Sequence, residues 1–203
     1  ISTLDKEILT KMKRAGFYRL CFGIESGDPQ TQVIIKKRID LDKARHIIAE
    51  ANKLGFWTSG TFIIGFPHET MKEIRKTIEF TKDSNMDFAI IYLLTPQPGT
   101  EVYAIFKQQG LINLDACMDP HSDDWYRISI TYCNGFKSLH FSNKELQNIL
   151  SQAYKEFIIH KLFSLQTYVN ILRKIRSLED LRYMFGLITI PINMLIKISL
   201  GKS

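Results

Sequence analysis

The feature that most constrains this chain is an alternation of strand-like and helix-like stretches over its first 110 residues. Residues 4–15 place Leu4, Ile8, Met12 and Ala15 on one helical face, and Gly16 ends the run. A strand over 17–24 follows, rich in aromatics and poor in breakers. Pro29 opens a short helix over 29–37. Asp40 caps another, with Leu41, Ala44, Ile48 and Ala51 in a stripe and Gly55 at its end. A second strand covers 56–65. Thr70 and Glu73 form a capping box for a helix over 71–84, and a third strand, apolar on both faces, covers 86–94. A helix near 101–109 ends at Gly110. This order implies right-handed crossovers and a parallel sheet covered by helices. Three strands do not close a barrel, so the α/β fold is an open sheet or the later half of a barrel.

Composition agrees with that reading. At 203 residues, 45% apolar and 24% charged, the chain makes one large domain or two small ones and is not disordered. Its three cysteines, Cys21, Cys117 and Cys133, are too scattered for a disulfide framework or a metal motif. Cys21 lies within a strand, where a small buried hydrophobe is expected. The chain begins at Ile1 with no signal pattern, and the expectation is a piece of a longer cytoplasmic protein.

In parallel α/β folds, ligands sit at the carboxyl ends of the strands. Three such ends carry unusual residues. The first reads Phe22-Gly23-Ile24-Glu25-Ser26-Gly27-Asp28, where glycines admit close backbone approach and Glu25 and Ser26 offer hydrogen bonds. The second runs from Gly60 through Ile63, Gly65, Pro67 and His68 to Glu69 and Thr70. The third is Leu94-Thr95-Pro96-Gln97-Pro98-Gly99-Thr100, a rigid turn into a helix. Each alone is ordinary connection chemistry; three in register are specific.

The segments FGIESGD, GTFIIGFPHET and LTPQPGTEVY, in this order, resemble the later barrel strands of radical S-adenosylmethionine enzymes. The resemblance covers about residues 3–112 and implies the later half of a partial (β/α) barrel. It continues more weakly through Asp124-Trp125 and Ser142-Asn143-Lys144-Glu145-Leu146 into the tail, where it is similar to the subgroup with a cobalamin-binding domain. The resemblance implies S-adenosylmethionine and a 4Fe-4S cluster as cofactors, with cobalamin implied by the tail alone. In the family the cluster is held by Cys-x-x-x-Cys-x-x-Cys, which this chain lacks, so its ligands are expected upstream in the same polypeptide. The chain alone is therefore expected to be inactive, and no catalytic side chain is assigned. The cofactor-binding positions implied by the resemblance are Gly23, Glu25 and Ser26 for the ribose or methionine part. Lys37 is the match for the methionine carboxylate, with Lys36 and Arg38 as rivals. Gly60, Ile63 and Gly65 match the first adenine segment, and Leu94 and Pro96 the second. Glu69 is expected to cap the following helix dipole.

Residues 1–112 form the barrel segment and 113–203 an irregular cap with a helical C-terminal domain. Ser142 and Glu145 make a second capping box; Leu165, Val169, Leu172 and Ile175 mark a further helix, and Ser177 starts another with Leu181, Met184, Phe185 and Ile188 inward. The net charge of +6 is concentrated here, with 9 Lys and Arg against 4 Asp and Glu over 143–203. No compact basic cluster marks a nucleic-acid partner. The apolar run over 183–196 is too short to span a bilayer. Its basic flanks, Arg173, Lys174, Arg176 and Arg182, allow peripheral membrane contact. The expected substrate is a small or lipid-like molecule. The competing reading is a non-catalytic module that binds a partner or a membrane surface through a degenerate half-barrel.

Overall fold

A computed structural model describes residues 1–97, 99–112, 136–182, 184–186 and 189. Helix α1 (Lys6–Arg14) is capped by Asp5, whose carboxylate accepts from Ile8 N at 2.8 Å. Strand β1 (Arg19–Glu25) leads to the short α2 (Pro29–Ile34) and to α3 (Leu41–Lys53). Then come β2 (Trp57–Ile64), α4 (Met71–Asp83), β3 (Phe88–Leu93) and α5 (Glu101–Gln108). Helices α6 (Asn143–Phe163) and α7 (Leu165–Lys174) follow, and helical residues resume over 178–182. Both capping boxes form, Thr70 with Glu73 and Ser142 with Glu145. The domain division at residue 112 falls beside 113–135, outside the described residues, as does most of the apolar run over 183–196.

The strands pair in parallel in the order β1-β2-β3. Helices pack on one face, where Phe22, Ile24, Phe62, Ile64 and Ile91 are buried. Replacing Phe62, which is wholly buried, by alanine would cost roughly 3–5 kcal/mol. The other face is not covered as the apolar runs implied. β1 alternates strictly, with Arg19, Cys21 and Gly23 exposed. Cys21 is therefore a correction: it is exposed on the uncovered face, because an odd position in β1 points away from the helices.

The two sheet edges differ. At β3, the Tyr154 hydroxyl of α6 accepts from Ile91 N at 2.9 Å and donates to Ile91 O at 3.1 Å. That satisfies the edge backbone at its middle. Glu156, two residues on, takes two hydrogen bonds from Arg75 and one from Lys82, locking α6 to α4. On the other side of β1, no described strand pairs.

Two expectations about the tail are corrected. Lys174 is not a surface cation. It lies buried at the amino ends of the strands, bonded to both Asp87 oxygens and to Asn52 Oδ1, each at 2.6 Å. Burial pushes its pKa down, while Asp87 pulls it back up. Phe185 is 62% exposed rather than inward, and Ile188 lies outside the described residues.

Candidate functional site

The site is built at the carboxyl end of β1. A register shift between Gly23 and Glu25 bends the strand where it meets β2. Glu25 itself has φ 67, and Ser26 N donates to Ile24 O at 2.9 Å, closing a three-residue turn around it. This turn re-aims the Glu25 carboxylate over the uncovered face. There Oε1 accepts from Lys37 Nζ at 3.1 Å, with the two side chains 21% and 41% exposed. Gly23 lies beneath the pair: a Cβ there would stand 2.9 Å from Glu25 Oε1 and 3.4 Å from Lys37 Nζ. A methyl group there would shift the flexible end of the Glu25 side chain and leave the backbone in place.

Lys37 reaches the site by a different route from the one the sequence suggested. The helix over 29–37 stops at Ile34, and Lys36 and Arg38 take φ of 59 and 51. Lys37 thus sits in a tight turn between two left-handed residues, not on a helix face. Gln32 holds that turn: its Nε2 donates to Ile24 O and Ser26 O at 2.7 and 2.6 Å, and its Oε1 accepts from Ile39 N at 3.2 Å. Lys36 turns away to pair with Glu101 at 2.6 Å.

Ser26 plays another part. It is wholly buried, its hydroxyl 3.1 Å from Thr77 Oγ1 and accepting from Asp28 N at 3.1 Å. It fastens the β1–α2 loop to α4, helped by the Asp28–Lys76 ion pair at 2.7 Å. Burial works against the Asp28 carboxylate, but the Lys76 and Thr31 hydrogen bonds together hold its pKa below the usual range. Gly60 also faces the helix layer: a Cβ there would lie 2.5 Å from Met86 Sδ. Its smallness serves packing against Met86 in the helix layer, whereas the resemblance implied contact with the adenine. Ile63, on the alternate face of β2, is half-buried on the uncovered side beside Tyr92 of β3.

Gly65 and Leu94 meet elsewhere. Leu94 N donates to Ile64 O at 2.9 Å, extending the strand pairing by one residue. Both residues line a niche of about 10 Å³ closed by Phe106 and Leu146. Pro96 is buried, just past Leu94. The strand ends thus share one end of the sheet, as parallel pairing requires, but the polar group that faces solvent is Gly23–Glu25–Lys37. A cavity of about 730 Å³ lies apart from it, among α2, α3 and α4.

Glu69 has a different role from the expected helix cap. It does not cap α4, which Thr70 caps. It is wholly buried, and its Oε2 accepts from Gly65 N and Phe66 N at 2.8 and 3.0 Å. Its Oε1 has no hydrogen-bond partner. Burial pushes its pKa up to about 7 against the pull of those two amides. The signal was in the sequence, since a Gly-x-x-x-Glu turn lets the side chain fold back on its own backbone. His68 turns its Nε2 to Thr31 Oγ1 at 3.1 Å and stacks on Phe66, away from the open face.

Among the described residues, no group of three His, Cys, Asp or Glu side chains is placed to hold a metal ion. Residues 1–81 match the sequence profile of the Radical SAM superfamily. This part of the chain belongs to the radical SAM superfamily. The likeness to relatives runs further. The chain is 31% identical over 191 residues to an uncharacterized methyltransferase of Pyrococcus horikoshii, covering 90% of this chain and 39% of that protein. It is 29% identical over 117 residues to cytidylyl-2-hydroxyethylphosphonate methyltransferase of Streptomyces wedmorensis, covering 54% of this chain and 22% of that one. It is also 23% identical over 178 residues to bacteriochlorophyllide d C-8(2)-methyltransferase of Chlorobaculum tepidum, covering 84% and 38%. The chain therefore spans well under half the length of these relatives.

Proposed function

We propose that this chain is the later part of a radical S-adenosylmethionine methyltransferase and that its open sheet face holds the amino-acid end of S-adenosylmethionine. The observation that carries the reading is the Gly23–Glu25–Lys37 group. A zwitterionic amino acid needs one anion and one cation a few ångströms apart, and this pair presents both at a solvent-facing strand end. The ligand carboxylate would take Lys37 and its ammonium Glu25, exchanging one ion pair for two. Gly23 leaves room for that approach. Ile63 and Tyr92 offer apolar surface on the same face for the nucleoside. Bound together, S-adenosylmethionine and a reduced 4Fe-4S cluster supply the radical and methyl chemistry; the side chains here bind, orient and exclude water.

The cluster does not fit this chain, whose three cysteines stand at 21, 117 and 133. We assign its ligands to a preceding segment of the same polypeptide. The greater length of the relatives supports that, as does the contrast between the β3 edge, met by Tyr154, and the outer side of β1, where no described strand pairs. Cobalamin belongs to the proposal through the resemblance of the tail, and no residue here is assigned to it.

The test is anaerobic titration of the full-length protein with S-adenosylmethionine. A charge-assisted contact is worth about 1.5–3 kcal/mol, so Lys37→Ala weakens binding roughly 10- to 100-fold. Lys36→Ala and Arg38→Ala serve as controls and leave it nearly unchanged. Equal, small effects across the three would sink the assignment.

A further inference from the structure

Helix α7 is turned inside out. Leu165, Tyr168, Val169 and Leu172 fall at the spacing of one helical face, and all four are exposed, Leu165 at 82% and Leu172 at 75%. The opposite face is the buried one, and it is polar: Asn170 at 4% and Lys174 at 2%. Lys174 fixes this orientation through Asp87 and Asn52, because rotating the helix would strand a buried carboxylate. At the end of α6, Leu162 and Phe163 are exposed at 59% and 82% and extend the apolar surface. A contiguous exposed patch of this kind marks an interaction surface.

The charges around it select the occupant. Residues 143–203 hold 9 Lys and Arg against 4 Asp and Glu. Of those four acids, Glu145 caps α6, and Glu156 is held by Arg75 and Lys82. Asp180 takes Trp57 Nε1 and Ser177. That leaves Glu179 to oppose the exposed Arg173 of α7 and the exposed Arg176 and Arg182 in the residues that follow the helix. An apolar helical face in a net-basic segment suits the headgroup layer of an anionic bilayer. Among the described residues no helix is long and apolar enough to cross a membrane. We propose that the α6–α7 apolar face docks on an anionic lipid surface, with α7 lying in the membrane plane.

The experiment is sedimentation of the full-length protein with phosphatidylcholine vesicles, with and without phosphatidylglycerol, at low and high salt. The proposal expects binding to the anionic vesicles, weakened by salt. The double variant L165E/L172E changes only exposed positions. It keeps the wild-type melting temperature and lowers partitioning by roughly tenfold or more. Arg173→Gln with Arg182→Gln lowers it by about tenfold, since each surface cation contributes to anionic-lipid binding. Unchanged partitioning in L165E/L172E overturns the proposal. So does failure of the wild type to bind anionic vesicles. In that case, concentration-dependent dimerisation lost in L165E/L172E would assign the face to a second copy. A persistent monomer would assign it to another segment of the same polypeptide.

Discussion

Two of the lysine–carboxylate pairs among the described residues stand at opposite ends of one sheet. Lys37–Glu25 stands at the carboxyl end, 3.1 Å apart and partly open to solvent. Lys174–Asp87 stands at the amino end, 2.6 Å apart, with side chains 0% and 8% exposed. The buried pair is surrounded by further partners: Asp87 Oδ2 also accepts from Thr58 N and Thr58 Oγ1, and Asn52 bridges Thr58 to Lys174. The open pair is held by a single hydrogen bond over a glycine. A charge pair saturated by its own protein has nothing left for a ligand, whereas one left half-satisfied at a strand end is free to trade partners.

The largest expected effect separates the pairs by stability. Lys174→Ala leaves Asp87 buried without its cation and should cost about 3–5 kcal/mol in denaturant unfolding. Lys37→Ala should cost under about 1 kcal/mol, as partly exposed pairs do. Comparable losses would erase the distinction.

Next in size is a pH effect at the open end. The Glu69 carboxyl has its pKa raised to about 7, from the 4.5 of an ordinary glutamate. The folded state thus favours the protonated form. Its contribution is fully present below about pH 4.5 and is lost as pH rises through 7, on the order of 3 kcal/mol in all. Glu69→Gln keeps an acceptor for the Gly65 and Phe66 amides and should flatten this slope. Melting temperature against pH for both proteins decides it.

Smaller still is Gly23→Ala. The added methyl, 2.9 Å from Glu25 Oε1, should displace the open pair and weaken S-adenosylmethionine binding about tenfold with little change in melting temperature. Unaltered binding would detach Gly23 from the site.

The strand order and both capping boxes were legible because they depend on local signals: apolar period, turn residues and a Thr or Ser three residues before Glu. What escaped depended on which side of an element is covered. Cys21 and Gly60 each sit in an apolar strand, yet one faces solvent and the other Met86. The apolar stripe of α7 reads as a core face, and only the long-range reach of Lys174 to Asp87 turns it outward. The resemblance singles out Lys37 but places it on a helix, since nothing local announces that Lys36 and Arg38 adopt left-handed backbone.

The backbone at Glu25 carries a consequence for evolution and engineering. A side chain at φ 67 is held in a conformation that costs a non-glycine residue about 1 kcal/mol or more. Selection for stability alone would put glycine there, and Glu25→Gly should raise the melting temperature while abolishing the carboxylate that faces Lys37. A screen for hardier versions of this protein would therefore enrich a variant that has lost its ligand contact. Retention of glutamate under such a screen would be a sign that the position is maintained for what it binds.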